Sequence, residues 1–182
     1  MDDPVKEIED VIRSITEPYE ATTLAENIEK YFTRDAQVLH PFINQPYSQD
    51  NGMEDLKGIY KILRVQSLDN KIEFHAVMFN EDKTEGTIEL TEHMTMRMNP
   101  IARLTSSRAA VRFIVRISLR KCEDGKYRIY RQEDNFPSDL TKSGVATPIP
   151  GLGSLNSAIK SFTGFATVKL GRFLLAYGWF GP

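Results

Sequence analysis

At 182 residues, with 41% hydrophobic and 26% charged residues and a formal net charge of −2, the chain has the make-up of one globular domain long enough to bury a core, and it lacks the basic excess of a nucleic-acid protein. Its single cysteine, Cys122, excludes an intramolecular disulfide and a cysteine-rich zinc site and suits a reducing compartment. The first residues are acidic and amphipathic rather than basic and then apolar, and no run of about 20 apolar residues occurs, so a cytoplasmic location without a spanning helix is expected.

A first helix is expected where Asp3 can cap, Pro4 suits the first turn, and Val5, Ile8, Val11, Ile12 and Ile15 recur at helical spacing until Pro18. Thr23 and Glu26 have capping-box spacing ahead of a second stripe, Leu24, Ile28, Tyr31 and Phe32. After Asp35 the segment Ala36 to His40 reads as a strand closed by Pro41, and Met53, Leu56, Ile59, Tyr60 and Leu63 mark a third helix. From residue 71 the period becomes two: Ile72, Phe74, Ala76 and Met78, a turn over 81–86, and then the long row Ile88, Leu90, Met94, Met96 and Met98. Val111, Phe113, Val115, Ile117 and Leu119 form another strand row, and the Asp124-Gly125 turn leads into a last strand from Lys126 to about Glu133. Helices followed by an antiparallel meander predict an α+β fold.

Residues 140–153 concentrate Gly, Pro, Ser and Thr and read as a linker. After Asp139 there are four cations, Lys142, Lys160, Lys169 and Arg172, and no acid, so the tail carries +4 and leaves −6 on residues 1–139. Over 154–182 a helical period returns on an aromatic face that includes Phe162, Phe165, Phe173, Tyr177 and Phe180, with Trp179 beside it. Aromatic residues, Lys169 and Arg172 without acids suit a helix lying in a lipid surface; packing on the domain or on a second copy is the alternative.

The order helix, helix ending in Tyr31-Phe32, then Asp35-Ala36 and a strand closing in His40-Pro41, then a helix and a curved meander, resembles the nuclear transport factor 2-like superfamily, closest to its SnoaL-like branch and related fungal proteins. The resemblance covers about residues 3–139. It implies a cone in which helices and a curved antiparallel sheet surround an apolar pocket, used in that superfamily by isomerases, dehydratases, cyclases and epoxide hydrolases and by binding modules, and it implies that the superfamily's habit of pairing through the sheet makes a homodimer one arrangement to expect.

Glu92 shares the parity of Ile88, Leu90 and the methionines, so a regular strand aims its carboxylate at the apolar face, where desolvation raises a carboxyl's pKa and suits it to acid–base chemistry. The alternatives are a bulge that turns Glu92 outward and a buried arginine partner. His40 matches a histidine-proline position of the resembled family and is the second catalytic candidate; His75 and His93 have outward parity. Tyr60, Phe74, Met94, Met96 and Phe113 are candidate ligand-binding residues. Arg108, Arg112, Arg116 and Arg120 share the outer face, where pairing with Glu89 or other acids is expected, and the acids of Arg131-Gln132-Glu133-Asp134 read as a solvated strand end. HExxH, GxGxxG, GxxxxGK[ST] and GxSxG strings are all absent from the sequence, so no metal or cofactor is expected. The leading expectation is a cone that binds an apolar small molecule or lipid while 155–180 docks peripherally on an intracellular membrane or lipid droplet. The alternatives are a cofactor-independent isomerase, dehydratase or cyclase, and an interaction module with a filled cone.

Overall fold

The structure is a computed structural model that describes residues 1–97, 108–138 and 152–177. Helix α1, Pro4–Thr16, buries Ile8, Val11, Ile12 and Ile15, the stripe expected from their spacing. Asp3 occupies the N-cap, but its carboxylate makes no cap bond and instead meets Lys83 Nζ at 2.9 Å, while Glu7 Oε1 accepts from the backbone N–H groups of Asp2 and Asp3. Helix α2, Ala21–Tyr31, starts before Thr23, which therefore lies inside the helix and does not cap it. Phe32 leaves the helical period at once and opens strand β1, Phe32–His40, followed by the two-residue strand β2, Ile43–Asn44.

Helix α3, Gly52–Gln66, lies against β1 so closely that a Cβ at Gly52 would collide with the carbonyl of Ala36. Buried Gln45 fastens this junction: its Nε2 donates to the carbonyls of Ala36 at 3.0 Å and Gly52 at 2.7 Å, and its Oε1 accepts from Val38 N. Strands β3 (Ser67–Phe79), β4 (Glu85–Met96), β5 (Arg108–Lys121) and β6 (Tyr127–Asn135) form the expected antiparallel meander. Strand β1 adds to β6 in parallel, giving the six-stranded order β2-β1-β6-β5-β4-β3. The helices cover the concave face, and the core joins α1 and α2 residues to Ile88, Leu90, Val115, Ile117 and Ile129.

Three irregularities bend the meander. Asp69 (φ +53°) and Asn70 form a two-residue bulge opposite Met94, His75 is skipped between the pairs Phe74–Leu90 and Ala76–Glu89, and Tyr130 is skipped between Leu119–Ile129 and Ser118–Arg131. Each extra residue reverses the side-chain parity beyond it. The β3 row therefore continues inward as Val77 and Phe79 rather than Ala76 and Met78, and Met78 is 60% exposed. Strands β4 and β5 pair without a break from Glu85–Ser118 to Thr95–Arg108.

Helix α4, Leu152–Ala176, is almost detached from this body. Lys160 Nζ donates to the Ser138 carbonyl, and Phe162 and Phe165 are 72% and 63% exposed. Among the described residues no helix is long and apolar enough to cross a membrane. The segment expected as a linker, 140–153, lies outside the described residues except for Leu152 and Gly153, which open α4; Met98, Trp179 and Phe180 lie outside them too.

Candidate active site

The cone is hollow. Its concave face and helices enclose a cavity of about 590 Å³ with a mainly apolar lining, a size that suits a small organic ligand. Tyr60, Met94, Met96 and Phe113 line it, together with Glu92 and His40. Phe74 does not: α1 covers that stretch of β3, and the Arg13 guanidinium stacks 4.8 Å from the Phe74 ring centroid.

Glu92 faces inward because the unbroken β4 pairing leaves its parity intact, opposite Ile72 on β3 and Val111 on β5. Asn70, aimed inward by its bulge, donates from Nδ2 to Glu92 Oε1 at 2.8 Å. Burial, reinforced by the charge of Asp134, pushes the Glu92 carboxyl up to about 7 against the pull of the Asn70 hydrogen bond and the Arg64 charge.

Asp134 is a second acid in the same cavity. The strand end expected to be solvated instead turns inward, because the bulge at Tyr130 puts Gln132 and Asp134 on the concave face and sends Arg131 and Glu133 outward. Gln132 Nε2 donates to the two Asp134 oxygens at 3.0 and 3.2 Å, and burial still raises Asp134 to about 7. Tyr60, from α3, senses both acids and hydrogen-bonds Gln132; burial and the acid charges hold its phenol protonated far above neutrality. These groups converge from α3, β3, β4 and β6. The bulge at Tyr130 hides Gln132 and Asp134 from period-two counting; Asn70 shares the parity of Ile72 but precedes the expected start of its strand at residue 71, and Arg64 sits at a helical position whose burial follows from the packing of α3 on the sheet.

His40 sits among aromatic rings at the cavity wall, its centroid 5.5 Å from Phe42 and 5.7 Å from Phe113. Its Nδ1 accepts from Phe42 N, which leaves the proton on Nε2, and burial lowers its pKa, so it is neutral near pH 7. His75 and His93 lie on the outer face, touching Thr91 and Glu73. Arg112 meets Glu89 at 2.6 Å there, Arg120 pairs with Asp35, and Arg116 pairs with Glu133. Among the described residues no cluster of histidine, cysteine and acidic side chains could hold a metal ion.

The sequence matches the model of the SigF NTF2-like domain over residues 1–179, a span that includes α4. No curated protein matches it. Among solved structures, a hypothetical protein with a ketosteroid isomerase-like fold from Catenulispora acidiphila, in complex with trimethylamine, is 17% identical with a TM-score of 0.55, covering 79% of this chain and 99% of its own. A candidate aromatic ring hydroxylase from Novosphingobium aromaticivorans is 14% identical, TM-score 0.52, covering 71% of this chain and 85% of its own. A candidate ketosteroid isomerase from Parabacteroides distasonis is 9% identical, TM-score 0.50, covering 76% and 91%. At these identities the likeness is one of fold.

Proposed function

Because this chain belongs to the SigF NTF2-like domain family, we propose that its cone binds an apolar small molecule and moves a proton on it with the chain's own carboxyls, as an isomerase, dehydratase or cyclase does. The observation that carries the reading is the pair Glu92 and Asp134, both pushed up to about 7 and both facing one apolar cavity. Two acids that titrate near neutrality, the Asp134 charge adding to burial at Glu92, are each partly protonated there, so one carboxyl can take a proton from the ligand while the other gives one back at a second position. Tyr60, protonated under the same conditions, offers its hydroxyl to an oxygen that gains charge during the transfer.

Deuterium incorporation from D2O into an enolisable apolar ketone such as 2-tetralone tests this reading by NMR. The full chain should accelerate exchange, and Glu92→Gln or Asp134→Asn should each lower that acceleration by about 100-fold, the scale of general acid–base catalysis. Exchange at the same rate with and without protein sinks the catalytic part of the proposal.

Helix α4 is proposed to dock the protein on an anionic lipid surface. Its exposed Phe162, Phe165, Phe173 and Tyr177 supply apolar area, and Lys160, Lys169 and Arg172 with no acid supply the complementary charge. In flotation assays the full chain should rise with vesicles containing phosphatidylserine and not with pure phosphatidylcholine, and Lys169→Glu with Arg172→Glu should abolish flotation. Equal behaviour on the two vesicle types removes the electrostatic part, and no flotation on either removes the docking role.

A further inference from the structure

The cavity has a polar end that the described residues satisfy only in part. Arg64, in the last turn of α3, is only 8% exposed and lines the cavity, yet it forms no ion pair among the described residues. Its Nη1 donates a long bond of 3.3 Å to the Ser67 carbonyl, the Tyr19 ring lies 5.2 Å from its guanidinium carbon, and its buried Nε has no hydrogen-bond partner among the described residues. Asn70, also in the lining, is 6% exposed, and its Oδ1 is likewise buried without a hydrogen-bond partner among the described residues. A guanidinium taken out of water with one of its donors left unmade is costly, and an acceptor supplied by a ligand would relieve that cost.

We propose that the Arg64 end of the cavity is an anion subsite that receives the carboxylate of an otherwise apolar ligand. The inference rests on the reading of the cone as a small-molecule site and adds the class of molecule: an aromatic or aliphatic carboxylic acid whose body lies along the apolar wall of Leu63, Ile72 and Leu90. A carboxylate accepts along two oxygens, which suits a guanidinium whose Nε finds no acceptor among the described residues and whose Nη1 bond to Ser67 is long. Glu92 reaches the same region, since the Arg64 charge acts on it. Near pH 6 its carboxyl is mostly protonated and does not oppose a second anion there.

The test uses the full chain and two probes of one shape, naphthalene-2-carboxylate and naphthalene-2-carboxamide, with binding followed at pH 6 by ligand fluorescence or saturation-transfer NMR. The amide keeps the ring and one acceptor oxygen, and replaces the second oxygen and the charge by a neutral NH2 donor. The carboxylate should bind about tenfold or more tightly, the preference should shrink in high salt, and Arg64→Gln should erase it while leaving amide binding within about twofold. Equal affinities in the wild-type protein, or a preference that survives in folded Arg64→Gln, overturn the anion subsite and leave the apolar cavity standing. Failure of both probes to bind overturns the cavity reading and the subsite together. The wild-type comparison decides the matter even if Arg64→Gln does not fold.

Discussion

The two faces of the sheet treat the same amino acids in opposite ways. On the convex face, acids stand beside cations in solvent: Glu89 with Arg112, Glu73 with His93, Asp35 with Arg120. Hydrogen bonding by His93 holds Glu73 below its ordinary value, and Arg128 holds Asp124 down to about 2. Three residues along the same strand from Glu89, the concave face holds Glu92 near 7, as it does Asp134. Residue type does not separate these groups; parity, and the solvent and partners that parity selects, do. The convex face uses its charge for ion pairs that each contribute at most about 1 kcal/mol. The concave face keeps charge in suspense, and that is what acid–base chemistry requires.

The largest break in this contrast comes from removing a concave acid. Its raised pKa means that between about pH 4 and pH 7 the folded state binds more protons than the unfolded one, so stability is highest below the unfolded value and falls as pH rises through about 7. Urea unfolding across pH 5 to 8 should therefore show wild-type stability declining, with Glu92→Gln about 3 kcal/mol less sensitive over that range; a slope unchanged by the substitution would place the Glu92 carboxyl in solvent. The lowered convex acids have the opposite sign: their stabilisation is present above about pH 4 and is lost as pH falls.

A smaller effect tests the bulge that reverses β3. Val77 packs against the core and Met78 does not. Val77→Thr should cost about 1 to 2 kcal/mol by placing a hydroxyl in apolar packing, whereas Met78→Thr should change stability by less than about 0.5 kcal/mol. The reverse order in thermal melts would restore the regular alternation. Smallest of all, Glu89→Gln removes an exposed ion pair and should cost less than about 1 kcal/mol with no effect on deuterium exchange. Loss of exchange there would mean that the two faces are not chemically separate.

Much of this contrast is legible in the sequence where the strands are regular. Glu92 stands out because β4 and β5 run without interruption, so period-two counting from Ile88 remains valid four residues later. The arginines at 112, 116 and 120 are legible as an outer row for the same reason, whereas Arg108, expected in that row, lines the cavity at the start of the strand. Counting fails after an inserted residue: Asp134 shares no apparent parity with Ile129 until the skipped Tyr130 is known, and Phe74 looks like pocket wall until α1 is seen lying over it. Cap residues mislead in a different way. Asp3 has the right position, but Lys83, distant in sequence, takes its carboxylate.

By itself the sequence determined the element order, the α+β class, the charge division between body and tail, and the inward aim of Glu92, because these depend on composition and on periods a few residues long. Only the tertiary structure decided that the cone is hollow, that Asp134 joins Glu92 inside it, and that the buried Arg64 Nε finds no hydrogen-bond partner among the described residues. Those outcomes depend on where bulges reset the sheet and on which helix covers which strand, and both are set by contacts between residues far apart in the chain.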